Sequence, residues 1–194
     1  LNRPLFHGTY RSGQMLRAWL PAKLRRKVLP HQPAGKLPHA AHARRMLLLK
    51  GCVQPSMAPN IHAATVRVLD KLGITALSPA AAGCCGAINL HMNHADEGLA
   101  DMRRNIDAWW PLIEQGAEAV VINASGCGSM VKEYGDYLRH DAAYADKAAR
   151  ISALAKDIVE VVAAEAASLA QSLPERTTPG PVIAYHPPCS LQHG

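Results

Sequence analysis

From residue 45 onward, short apolar runs alternate with longer segments of helical periodicity, and this alternation limits the possible folds more than any other feature of the chain. "RMLLLKG" reads as a buried strand closed by Gly51. "APNIHAATVRVLDKLG" follows as a helix, with Ile61, Ala64, Val68, Leu69 and Leu72 on one face and Gly73 as its stop. "ITALSPAAAG" gives a second strand ending near Ser78, and a helical region from Asn93 to Gln115 is expected to break near Pro111. "AVVINAS" is β-branched and apolar, the clearest strand of all. Helices are then expected over Met130–Leu138 and Tyr144–Leu173, and a turn-rich "PERTTPGP" leads into "VIAYH" as a fourth strand. Strands alternating with helices define an α/β fold, a mainly parallel sheet flanked by helices.

The five cysteines fall into this frame in a regular way. Cys52 follows the first expected strand, Cys84 and Cys85 the second, Cys127 the third and Cys189 the fourth. The reading therefore places the cysteines at the carboxyl edge of the sheet, where open α/β sheets bind ligands. Cys84 and Cys85 are adjacent between two glycines, in "GCCG". A disulfide prefers Cα atoms roughly 5.5–6 Å apart while trans neighbours sit about 3.8 Å apart, so the pair is poorly placed to bond to itself. Glycines on either side let the backbone approach another group closely.

Thiolates take soft metals, which leaves zinc or iron–sulfur clusters, with a metal-free dithiol site as a third option. Structural zinc draws on tight C-x₂₋₄-C knuckles. Here 31 residues separate Cys52 from Cys84 and 41 separate Cys85 from Cys127. Adjacent thiolates are awkward around one tetrahedral ion but can reach different irons of a cluster. The glycines of "GCCG" and "GCG" would bring backbone N–H groups near the sulfurs.

Charge separates the first fifty residues from the rest. They hold eleven Lys or Arg and no acidic residue, while the remainder carries ten basic against fifteen acidic residues. Leu16, Leu20 and Leu24 recur at helical spacing beside Trp19, as in a short interfacial helix interrupted at Pro21. The alternative is a basic helix that packs on the domain or on a preceding part of the protein. With one Phe, five Tyr and three Trp, the chain lacks the aromatic platforms of a nucleic-acid binder, and no nucleic-acid partner is expected. No run of about 18 apolar residues offers a membrane-spanning helix. Five cysteines with no export signal suggest a reducing compartment. The chain opens on "LNRPLFHGTY" and closes just after a cysteine, and is read as an internal piece of a longer protein.

"GCVQPSMAPNIHAATVRVLDKLGI", "AGCCGAINLHMNH", "NASGCGSMVKEYGDYL" and "YHPPCSLQHG" together resemble the cysteine-rich (CCG) domain of glycolate oxidase (glycolate dehydrogenase) iron–sulfur subunits. The wider group includes the iron–sulfur subunits of lactate utilisation, anaerobic glycerol-3-phosphate dehydrogenase and heterodisulfide reductase. The resemblance implies a connector over residues 1–45, a first CCG domain over 46–178, and the start of a second repeat over 179–194. It implies an iron–sulfur cluster, of [4Fe-4S] type, held by Cys52, Cys84, Cys85 and Cys127, with Cys189 serving the second half. Zinc in a module that docks other subunits is the minor alternative. The implied role is a non-catalytic electron-transfer subunit beside flavin-binding subunits that oxidise glycolate to glyoxylate, relaying electrons toward a quinone-linked acceptor. The expected location is cytoplasmic, with the inner face of the cytoplasmic membrane as a candidate surface reached through the basic leader. Two departures stand out: Met130 occupies the place of the second cysteine in the group's closing C-x₂-C, and no ferredoxin-like C-x₂-C-x₂-C-x₃-C-P run is present.

Other residues near these motifs are His62, His91, His94 and His186, of which His186 lies nearest a cysteine in sequence. Trp109 and Trp110 are expected in core or interface packing, and Lys132 and Tyr134 lie within reach of the Cys127 turn. No nucleophile–base constellation or phosphate-binding glycine loop occurs, so substrate chemistry is expected elsewhere.

Overall fold

A computed structural model describes residues 3–172 and the isolated positions 180, 182, 184 and 186. The leader forms helix α1 (Arg3–Met15), a 3₁₀ turn (Arg17–Trp19) and the single turn α2 (Ala22–Arg25). Strand β1 (Arg44–Leu48) is followed by α3 (Gln54–Met57), α4 (Pro59–Lys71) and strand β2 (Ile74–Leu77). Helices α5 (Ala87–His91) and α6 (Ala95–Glu114) lead to β3 (Val120–Ile122). Then come α7 (Ser125–Lys132), α8 (Tyr134–Tyr137), α9 (Ala145–Leu154), β4 (Ala155–Asp157), α10 (Ile158–Ala164) and α11 (Ala166–Ser172).

The four strands are all parallel, in the order β2-β1-β3-β4. Leu47 pairs with Leu77 on one side and Val120 on the other, and Val120 pairs with Ala155. Side-chain alternation divides the sheet into two buried faces. Leu47, Leu49, Val120 and Ile122 pack with Met102, Ile106 and Trp109 of α6, Val131 of α7, Tyr134 of α8 and Ile151 of α9. Met46, Leu48, Ile74, Ala119 and Val121 pack on the opposite face with Leu69 of α4 and Val161 of α10. Both faces being covered explains why the central strands read as unbroken apolar runs rather than alternating ones.

Two expected elements differ. The helix expected over Tyr144–Leu173 is interrupted by β4, a three-residue edge strand that exposes Lys156 and contains no β-branched residue. Its Ala and Lys are good helix formers, so nothing in its composition marks a strand. What ends it is a capping box. The Asp157 carboxylate accepts from the Val159 N–H at 3.0 Å, and Glu160 accepts from the Asp157 N–H at 2.7 Å, starting α10. The break expected near Pro111 does not occur, because α6 continues through it to Glu114. The ring removes the N–H that would bond the Asp107 carbonyl, and Asp107 is exposed, where water can serve that oxygen. The strand expected at "VIAYH" and Cys189 lie outside the continuously described residues.

The leader folds back on itself and touches the domain. Leu29 N–H donates to the Tyr10 hydroxyl at 3.0 Å, and Arg17 Nε donates to the Val28 carbonyl at 2.9 Å. His7 Nδ1 meets Ser56 Oγ, His42 pairs with Asp70 at 2.8 Å, and Arg67 donates to the Ala34 carbonyl at 2.9 Å. Proline at position 21 keeps Leu16–Arg25 from forming one helix, so the regular leader helix lies upstream of the segment whose leucines suggested it. Among the described residues no helix is long and apolar enough to cross a membrane.

This packing predicts a graded stability response. Leu47→Ala, in the central strand with no exposure, should cost about 2–5 kcal/mol. Asp157→Ala should cost about 1 kcal/mol through loss of the cap. Thermal or denaturant unfolding checks the order; an Asp157 effect equal to that of Leu47 would contradict it.

Candidate metal centre

Parallel pairing sets the carboxyl ends of β1, β2 and β3 along one edge. In the order 2-1-3-4 the chain leaves the adjacent strands β1 and β3 toward opposite sides, which makes a topological switch point. Cys52 follows β1 at this point and Cys127 lies in the first turn of α7, just after β3. Cys84 and Cys85 follow β2 and enter α5. All four line one cavity of about 370 Å³, whose walls include Leu29, Val53, Ile88 and Ala124. The thiols form a chain of contacts, Cys52 to Cys84, Cys84 to Cys85, and Cys85 to Cys127. Cys52, Cys84 and Cys85 are buried and free, and Cys127 is free and partly exposed.

The thiols lie close enough to shift one another in opposite directions, Cys84 and Cys127 down and Cys52 and Cys85 up. The Cys84 thiol is lowered to about 2 by bonds from the Cys52 and Cys85 thiols, and by the Gly86 and Ile88 N–H groups at the start of α5, against the opposing effect of burial. Cys127 is lowered by a bond from the Cys85 thiol. Cys52 is raised by donating to Cys84 and by burial, and Cys85 by its bonds to Cys127 and Cys84 and by burial. Binding of a metal through these sulfurs would displace the thiol protons.

The backbone of the pair is held from behind. Gly86, at φ +96°, turns the chain into α5, and a Cβ there would lie 2.8 Å from the Gly98 carbonyl oxygen of α6. The glycine after the pair is therefore required by a left-handed turn and a close helix approach. Asn105 of α6 and Tyr134 of α8, both without exposure, reach the same loop. Asn105 Nδ2 donates to the Cys84 carbonyl at 2.7 Å, its Oδ1 accepts from the Gly83 N–H at 2.7 Å, and the Tyr134 hydroxyl donates to the Cys85 carbonyl at 2.9 Å. Burial pushes the Tyr134 hydroxyl well above its ordinary value, so it stays a donor.

Sequence reasoning named Tyr134 for its position beside Cys127 and missed Asn105. A polar residue between Met102, Ile106 and Trp109 on the buried stripe of α6 was the available signal. Lys132 turns to Glu160 at 3.2 Å. Met130 is buried in the core and does not line the cavity, so it supplies no fifth sulfur there. Trp109 is fully buried and stacks on Tyr134 with centroids 6.4 Å apart, while Lys147 lies over the Trp110 ring. No described histidine lines the cavity. His62 is held below its ordinary value by burial and Lys50, His94 lies 3.7 Å from Glu97, and His91 and His186 are exposed.

Among the described residues no three His, Cys, Asp or Glu side chains converge on a position for a single metal ion. The four thiols are strung along the cavity wall instead. That arrangement suits a group with several metal atoms, each taking a different sulfur, better than one zinc ion that the four thiolates would have to surround.

A parallel α/β domain with a thiol-lined cavity at its switch point is the class that fold and site define. Residues 46–132 match the family described as "Cysteine-rich domain" (CCG). The chain is 46% identical over 190 residues to the glycolate oxidase iron-sulfur subunit of Escherichia coli K12, covering 97% of this chain and 46% of that one. It is 26% identical over 181 residues to the probable glycolate oxidase iron-sulfur subunit of Bacillus subtilis 168, covering 92% and 39%. Lactate utilization protein A of Bacillus licheniformis is 31% identical over 101 residues, covering 52% and 40%. The chain thus spans less than half the length of these relatives. No solved structure matches it at a significant level.

The thiol pattern predicts reactivity in iron-free protein. Iodoacetamide should label Cys127 first, since it is the partly exposed one of the four, and its rate should fall less steeply with falling pH than that of an ordinary thiol, since its thiolate is favoured. A thiol titrating at about 8.5 would instead lose close to tenfold per pH unit well below that value. Peptide mapping of the labelled protein checks this; an ordinary pH profile, or Cys84 labelled first, would contradict it.

Proposed function

We propose that this chain is the electron-transferring iron–sulfur part of a glycolate oxidase (glycolate dehydrogenase) complex, in which flavin-binding subunits oxidise glycolate to glyoxylate and electrons pass toward a quinone-linked acceptor. The observation that carries the reading is that Cys52, Cys84, Cys85 and Cys127 all line one cavity. The 46% identity to a glycolate oxidase iron-sulfur subunit favours glycolate over lactate, where the relative quoted above reaches 31% over about half of the chain. The four cysteines would hold a cluster, of [4Fe-4S] type by family resemblance, and Cys189 would serve a second half. When bound, such a group supplies a one-electron site whose potential depends on burial and on hydrogen bonds to sulfur.

The chain's own residues provide both conditions. Backbone N–H groups of Gly86 and Ile88 point at the Cys84 sulfur, and that of Ala87 at Cys85, offsetting negative charge. Leu29, Val53 and Ile88 form apolar walls that limit water. Among the described residues no acid–base pair lines the cavity, and in this reading the glycolate chemistry belongs to the partner subunits.

The leader supplies a surface for the complex or for the cytoplasmic face of a membrane. Met15 is 85% exposed and Trp19 87%, on a leader whose sequence also carries Arg11, Arg17, Lys23, Arg25, Arg26 and Lys27. Exposed apolar side chains on a segment rich in Lys and Arg and free of Asp and Glu suit an anionic lipid surface.

Two tests follow. In the assembled complex, Cys85→Ser should lower iron per folded protein and block quinone reduction, while glycolate oxidation with a dye that takes electrons from the flavin survives. Full iron and full quinone reduction in a stable Cys85→Ser protein would remove the pair from the ligand set. Separately, co-sedimentation with vesicles containing anionic lipid should weaken as salt rises and fall with Trp19→Ala; salt-insensitive binding would contradict the leader's role.

A further inference from the structure

We propose that Asn105 and Tyr134 are positioning residues of the thiol site, locking the Gly83–Cys84–Cys85 backbone so that the two adjacent sulfurs are aimed at different neighbours. This rests on the reading of the cavity as a cluster site.

The hydrogen-bond inventory fixes every role. Asn105 has two N–H donors, and both are used, one on the Cys84 carbonyl at 2.7 Å and one on the Tyr134 oxygen at 3.0 Å. Its carbonyl oxygen takes the Gly83 N–H at 2.7 Å. Turning the amide over would set its NH₂ against an N–H and its oxygen against two oxygens, so only one orientation is satisfied. Tyr134 then has its own hydrogen left for the Cys85 carbonyl at 2.9 Å. Arg104 Nη2 adds a longer bond to the Cys84 carbonyl at 3.2 Å. Two consecutive peptide planes are thereby held by side chains from two different helices.

Sulfur direction follows from those planes. Besides their contact with each other, the Cys84 sulfur meets Cys52 and the Cys85 sulfur meets Cys127. A loop free to rotate would carry both sulfurs together. Packing alone does not require an amide here, because a fully buried Asn is costly unless its polar atoms are all bonded. The bonds of this one hold the loop that carries both cysteines. Tyr134 is in turn fixed by its stack on Trp109.

The test compares Asn105→Asp and Tyr134→Phe with Leu69→Ala, a fully buried control in the core on the opposite face of the sheet. Asn105→Asp loses both donors, and Tyr134→Phe keeps the ring and removes only the hydroxyl. In iron-loaded chain, both site variants should lose iron to a chelator about tenfold faster, the lower end of effects seen for groups that orient metal ligands. Their paramagnetic spectrum and midpoint potential should also shift, and Leu69→Ala should leave both unchanged. In iron-free folded chain, both site variants should expose Cys84 and Cys85 to alkylation while Leu69→Ala leaves them protected. Wild-type protein that takes up no iron would sink the cluster reading, and the alkylation comparison would still decide the clamp. Wild-type spectrum, iron retention and thiol protection in Tyr134→Phe would overturn it. So would a Leu69→Ala protein that reproduces every effect, since the two residues would then act through stability alone.

Discussion

Parallel pairing of β1 with both β2 and β3 is the constraint on which the rest depends. Strands that run the same way must all end at the same edge. Three loops from distant parts of the chain therefore open side by side, and each carries its cysteines there. The central pairs, Leu47 with Val120 and Leu48 with Val121, are buried on both faces, so the edge is anchored by the stiffest part of the molecule. Helices α4 and α10 cover one face and α6 through α9 the other, and the thiol-lined cavity opens at the carboxyl edge.

Gathering four thiols in an apolar pocket raises an electrostatic problem that the local backbone answers. A buried thiolate is unfavourable without donors, and the chain provides them from the first turn of α5 and from neighbouring thiols. Asn105 and Tyr134 hold the same loop by its carbonyls, while Gly86 gives it a turn that a side chain would obstruct. Sulfur placement, charge compensation and loop shape are thus properties of one short segment, Gly83 to Ile88, braced by α6 and α8.

Much of this was legible in the sequence, and for identifiable reasons. The runs around Leu47 and Val120 announced themselves because central parallel strands are apolar on both faces. The position of Cys52, Cys84, Cys85 and Cys127 after the expected strands followed from counting. Strand β4 was hidden because an edge strand of three residues, Ala-Lys-Asp, carries no pattern; only the Asp157…Glu160 spacing marked the boundary. Asn105 was hidden for a different reason. Its partners, the main chain of Gly83 and Cys84 and the Tyr134 hydroxyl, lie more than twenty residues away, which no local periodicity reports. Leader residues such as Leu29, which lines the cavity, were equally invisible, since their contacts depend on how α1 folds back.

The central claim is that one cavity at the carboxyl edge holds a group with more than one iron through cysteine sulfur. X-ray absorption at the iron edge of anaerobically prepared protein tests it most directly. The account predicts iron surrounded by sulfur, with an iron–iron scattering component that diminishes when Cys52, Cys84, Cys85 or Cys127 is replaced by serine. Iron-free protein after reconstitution, zinc as the bound metal, or an isolated iron with oxygen and nitrogen neighbours would contradict it.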